Sequence, residues 1–234
     1  MLFLILGRTM KKLLLLVIPT LFSGAVLAKA GESTLSFGYL NVKSGGVKDQ
    51  VNLLKDNAKK ASDEITSHFG KPATLSSDSY HDLGGAFMRY RYEINDEWGV
   101  IGSIAYSTKD YNATAKADKN DKKDRIHATG KVTGSYVSLM VGPTYRVNEY
   151  VSLYGLIGGA YKKASYESNL QEFKEDKLVN SDKESNADKK TQLAYGVGMQ
   201  VNFWEGATLD VGYERSGSGD WKTDAFTVGL GYKF

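Results

Sequence analysis

The chain contains no cysteine, so disulfides, thiol nucleophiles and thiolate metal sites are excluded together. Histidine is scarce: His68, His81 and His127 are the full set among 234 residues. Only three prolines occur, and Pro19 interrupts the one strongly apolar run. Beyond that run, no segment approaches the roughly 20 apolar residues of a spanning helix. A surplus of one charge is missing too. Of the 30 Lys and Arg, four (Arg8, Lys11, Lys12 and Lys29) lie within residues 1–30, leaving 26 against 27 Asp and Glu. A chain so balanced gives no general argument for binding polyanions, so no nucleic-acid partner is expected and only local basic patches remain.

What is present begins at the N-terminus. Met10-Lys11-Lys12 precedes the apolar run Leu13 to Val17, and small residues follow to Ala28-Lys29-Ala30. A basic head, a short apolar stretch and an A-x-A pattern predict a secretory signal peptide over 1–30. Met10 is an alternative start, because residues 1–9 add nothing a signal needs. Residues 31–234 are expected to form a single domain.

In that domain, which holds 23 of the chain's 25 glycines and all 15 tyrosines, a two-residue period recurs. In the last strand Phe226, Val228, Leu230, Tyr232 and Phe234 share one face, with Thr227, Gly229, Gly231 and Lys233 on the other. Similar segments lie near 33–42, 81–93, 98–109, 134–147, 150–164, 191–203 and 207–215. Short turns at Asn95-Asp96-Glu97, Asn148-Glu149 and Trp204-Glu205-Gly206 alternate with polar stretches at 43–79, 110–132, 165–190 and 216–221. Eight strands of about ten residues, with short turns on one rim and long loops on the other, predict an all-β fold: an eight-stranded antiparallel up-and-down transmembrane β-barrel with long extracellular loops.

A soluble lipocalin-like barrel also alternates, with its apolar face inward. Glycines and charges on the polar face suit the crowded lumen of a small barrel. Tyr and Phe near the strand ends of the apolar face suit a membrane girdle. The apolar face is therefore expected outward. Arg89, Arg91, Glu93, Asp210, Glu214 and Lys233 then point inward as structural charges paired across the lumen, since an unpaired buried charge is very costly. Eight strands leave room only for side chains, so no open pore is expected.

Within 47–69, Val51, Leu54, Ala58, Ala61, Ile65 and Phe69 recur at spacings of three and four. With Lys55, Asp56, Lys59, Lys60, Asp63 and Glu64 between them, this predicts an amphipathic helix. Gly45 and Gly46 would precede it, and Gly70-Lys71-Pro72 would stop it.

Catalytic chemistry has thin support. His81 lies near Ser79 and Asp82, and His127 near Thr129, but both read as solvated rim histidines. The DKNDKKD run at 118–124 lacks the glycine and terminal glutamate of a calcium loop. No catalytic residue, metal site or cofactor is expected. The stretch 110–132 is modestly basic. Its Lys116, Lys119, Lys122, Lys123 and Arg125 are candidate ligands for heparan-type glycans or lipopolysaccharide phosphates, the alternative being a solvated loop. The stretch 165–190 carries seven acids against five lysines.

The segments RYRYEINDEWGVIGSIAYSTKD (89–110), VGPTYRVNEYVSLYGLIGGAY (141–161), YGVGMQVNF (195–203), ATLDVGYERS (207–216) and VGLGYKF (228–234) resemble the Ail/OmpX/Lom family of enterobacterial outer-membrane proteins. The blocks match in order over nearly the whole mature chain, while the stretches 43–79 and 110–132 are longer than family norms. The resemblance implies an eight-stranded barrel and, in some members, host-cell attachment, invasion and serum resistance; other members have no settled activity. The expected partners are outer-membrane lipid and lipopolysaccharide, the barrel-assembly machinery during insertion, and host matrix or complement-regulatory proteins, for a monomer. The alternatives are a structural barrel without a dedicated ligand and a lipid-modifying barrel enzyme.

Overall fold

The structure, a computed structural model, describes residues 30–118, 124–204 and 206–234, without the side chain of Phe69. The expected signal peptide, apart from Ala30, and the start at Met10 lie outside the described residues, as do Lys119, Lys122 and Lys123. The elements are β1 (Ser33–Ser44), α1 (Gly45–Phe69), β2 (Thr74–Ser77), β3 (Leu83–Glu93), β4 (Trp98–Asp118), β5 (Arg125–Arg146), β6 (Val151–Lys174), β7 (Lys177–Trp204), β8 (Ala207–Ser216), a 3-10 turn (Gly219–Trp221) and β9 (Thr223–Lys233).

All strand pairings among the described residues are antiparallel. β1 pairs with β3, each later strand pairs with the next, and β9 returns to β1 from Thr34↔Lys233 to Ser44↔Thr223. Eight strands thus close a ring and satisfy their backbone groups within it, as a lipid surround requires. The short β2 lies outside the ring, against the far end of β4.

The alternation resolves outward as expected. Phe226, Val228, Leu230 and Tyr232 are exposed, whereas Ala225 and Thr227 are buried in the lumen. Exposed aromatic residues mark two levels of the outer wall: Tyr39, Tyr106, Tyr161 and Phe226 at one, Trp98, Tyr145, Phe203 and Tyr232 at the other. The cross-strand rings of Trp98 and Tyr145 are 5.0 Å apart. Two short turns share one device. The Asn95 side-chain oxygen accepts from the N–H groups of Glu97 (3.0 Å) and Trp98 (2.7 Å), and that of Asn148 from Tyr150 and Val151 (both 2.9 Å).

The opposite rim corrects the sequence reading. The stretches 110–132 and 165–190 are mostly not loops but continuations of the membrane strands. β4 and β5 stay paired in register out to Asp118↔Arg125, and β6 and β7 out to Lys174↔Lys177, with a single bulge at Glu172/Phe173. Glu175 and Asp176, at φ 48° and 64°, make the tight reversal at the second tip. The ladder below acts as a template, so each added pair needs no new nucleus and polar residues can extend it. On β4 the inward positions are Tyr111, Ala113, Ala115 and Ala117, all buried.

What buries them is α1, the helix expected at 47–69. It starts two residues early: Gly45 and Gly46, expected to precede it, form its first turn. There an added Cβ would stand 2.6 Å from the Asp220 carbonyl oxygen at Gly45 and 3.0 Å from the Trp221 ring at Gly46. Gly70 ends the helix in the left-handed region (φ 64°), its N–H donating to the Thr66 carbonyl. The apolar stripe lies on the hairpin rather than on lipid. Val47, Val51 and Leu54 join the upper barrel core with Tyr111 and Val132, and Ile65 packs with Ala115, Ala117 and Ile126. Glycines on β5 make the seat: a Cβ at Gly130 would lie 2.5 Å from Leu54, and one at Gly134 2.8 Å from Val47.

Candidate functional site: barrel interior and extracellular ledge

Inward-facing strand positions bring the lumen charges together. Arg89 on β3 reaches Asp210 at 2.6 Å and Glu214 at 3.0 Å, both on β8, and all three side chains are fully buried. Its Nε donates to Ser103 (3.2 Å) and one Nη to Thr227 (3.0 Å), and its guanidinium carbon stands 4.3 Å from the Phe87 ring centroid. Asp210 also accepts from Tyr154 (2.9 Å) and Gln200 (2.7 Å), and Glu214 from Ser138 (3.1 Å). Nearer the short-turn rim, Glu93 lies 3.0 Å from both Arg91 and Arg146. Arg146 meets Glu32 at 2.7 Å and Lys233 reaches Glu32 at 3.3 Å, so Lys233 sits at the half-exposed edge of the network. Tyr154, Gln200 and Lys162 were not singled out from sequence. The inward parity of Ser152, Tyr154 and Leu156 between exposed Leu153 and Ile157 is the signal that places Tyr154. Lys162 sits at the upper mouth, donating to Gln192 (3.0 Å) and the Ser216 carbonyl (2.9 Å). This arrangement fills and cross-links the lumen.

Above the membrane, α1, the β4–β5 hairpin and the β6–β7 hairpin form a raised ledge. The basic candidates are partly engaged there. Arg125 pairs with Asp176 at 2.6 Å and stands 4.4 Å from the Phe173 ring. Lys116, exposed on β4, lies in register with His127. At the foot of the hairpin Asp110 accepts from Thr133 (2.6 Å) and meets Lys131 at 2.9 Å; these two contacts hold its carboxyl below the usual range. His127 faces Asp118 at 4.0 Å. Burial, with Lys116 and Arg125 nearby, pulls its imidazole below its usual pKa against the opposing effect of Asp118. Thr129 donates to the Asn169 carbonyl (3.3 Å), and the His81 carbonyl accepts from Tyr111. Among the described residues, no hydrogen bond joins His81 to Ser79 or His127 to Thr129, and no cluster of three metal-ligating side chains occurs.

A closed ring of eight antiparallel strands, with aromatic-edged apolar walls and a charge-paired lumen, defines a transmembrane β-barrel of the bacterial outer membrane. The chain belongs to the enterobacterial Ail/Lom family, whose model matches residues 56–234. It is 32% identical over 176 residues to the outer membrane protein Lom of Escherichia phage lambda, covering 70% of this chain and 82% of that one. It is 35% identical over 154 residues to the attachment invasion locus protein of Yersinia enterocolitica, covering 66% and 74%. The crystal structure of Ail, the attachment invasion locus protein of Yersinia pestis, in complex with the heparin analogue sucrose octasulfate, superposes with a TM-score of 0.54 at 28% identity, covering 88% of this chain and 99% of that one.

Proposed function

We propose that this protein is a surface barrel of the attachment and serum-resistance type, whose extracellular ledge binds host matrix or complement-regulatory proteins. The observation that carries the reading is the ledge itself. Its hairpins and helix are built structures raised above the membrane by continuous ladders, and they present an ordered surface to the exterior, in a family with a member named for attachment and invasion. Lys116 on β4, Arg125 on β5, and Lys119, Lys122 and Lys123 between them in sequence are the proposed contact for sulfated glycans. The complex of Yersinia pestis Ail with a heparin analogue supports that choice.

The test compares intact cells with a strain lacking the protein, on immobilised matrix proteins and in serum. The deletion should lower attachment and survival. Replacing the five basic residues by alanine should lower binding to a heparin surface while the barrel still inserts. Unchanged attachment and survival in the deletion strain would favour a structural barrel without a dedicated ligand.

A further inference from the structure

We propose that the groove between α1 and the β6–β7 hairpin is a docking site for a short, free cationic amphipathic peptide. The inference does not rest on the basic hairpin tip. α1 covers the inner face of β4 and β5 and reaches the foot of the β6–β7 extension, where Gln50 donates to Asp188 (3.4 Å), and farther out a cavity of about 420 Å³ lies between the helix and that extension. Its floor is apolar: Leu54, Ala58 and Ile65 from α1, Ile126 and Ala128 from β5, and Leu170 from β6. Its rim is acidic, with Glu64, Glu172, Asp182 and Glu184.

The acidity is sorted by strand geometry. Successive side chains of a strand alternate between faces, so Asp182 and Glu184 line the groove while Lys183 between them takes the opposite face. Lys174 lies 3.5 Å from Glu172 but is itself largely exposed, and His68 is the lining's one side chain of basic type among the described residues. An apolar trough edged by carboxylates complements a helix with one apolar and one cationic face. It repels lipid phosphates and acidic segments. From Leu54 to His68 the helical wall runs about 20 Å, matching three to four turns of a docked helix, so a short free peptide is long enough.

The test uses the full mature chain in zwitterionic nanodiscs, with empty nanodiscs subtracted. The probe is a fluorescent 15-residue Leu/Lys peptide of helical period. Saturable binding is expected, weakened roughly tenfold by the combined Glu172→Lys, Asp182→Lys and Glu184→Lys changes, since exposed pairs contribute modestly each. Ala61→Trp, which fills the groove from the helix side, should also weaken it. If the reversed barrel fails to fold, Asp182→Asn with Glu184→Gln must still weaken binding by about threefold. Equal affinity in these variants, or equal binding of a scrambled Leu/Lys peptide or a Leu/Glu analogue, overturns the proposal. So does tighter binding of the same sequence grafted into a folded carrier, which would make a protein segment the partner.

Discussion

Arg89 and Asp210 meet at 2.6 Å in the middle of the lumen, with neither side chain reaching solvent. Asp210 and Glu214 both depend on that one guanidinium. Arg89→Ala should therefore strand two buried carboxylates and lower unfolding stability by about 3–5 kcal/mol. Arg91→Ala should cost less, because Glu93 keeps Arg146 at 3.0 Å and two Arg91 nitrogens already lack hydrogen-bond partners. Urea unfolding in detergent micelles reads both, and the reverse ranking would refute the assignment.

Helix α1 should melt without the barrel. Proline at Ala58 removes a helix-interior hydrogen bond and clashes with the preceding turn, costing about 3 kcal/mol or more. Circular dichroism should lose helical signal while heat-shifted gel migration of the barrel persists. A spectrum without helical content in the parent protein would sink the helix itself.

Two glycines should behave oppositely. An added Cβ at Gly142 would overlap the Gly155 carbonyl oxygen on the next strand, whereas one at Gly102 meets nothing within 4 Å. Gly142→Ala should impair folding, and Gly102→Ala should be tolerated. Refolding yields measured side by side decide it.

His127 should take up its proton only below the usual imidazole pKa of about 6.5. A lowered folded-state pKa means the charged form is disfavoured in the fold. At neutral pH there is then no effect on stability, and a small loss appears as pH falls below the unfolded value. Its approach to Asp118 is accordingly not an ion pair at pH 7. An NMR titration of the imidazole reads this directly, and a midpoint above the ordinary value would contradict it.

The strands were legible where one face meets lipid, because that contrast imposes a strict period of two. The segment expected at 81–93 is Leu83–Glu93, and that at 207–215 is Ala207–Ser216. Helix α1 was legible for the matching reason, a stripe at period 3.6. The extensions were not. Residues 177–190 are exposed throughout, so no apolar alternation marks them, and only pairing to β6 makes them a strand. Ala113, Ala115 and Ala117 do alternate, but alanine has low strand propensity and their covering surface comes from a segment more than forty residues earlier. The lumen charges were visible as inward positions. That Arg89 meets Asp210 and Glu214 rather than Glu93 depends on how the ring closes, which no local pattern encodes.

The unbroken ladder from Trp98↔Tyr145 to Asp118↔Arg125 also has a mechanical consequence. Backbone bonds in antiparallel pairs run across the strands. Traction on the outer end of this hairpin, along its strands, would draw β4 and β5 together and shear them against β3 and β6, straining many bonds at once rather than peeling them singly. A cell tethered at that tip would be pulling on the wall of the barrel itself.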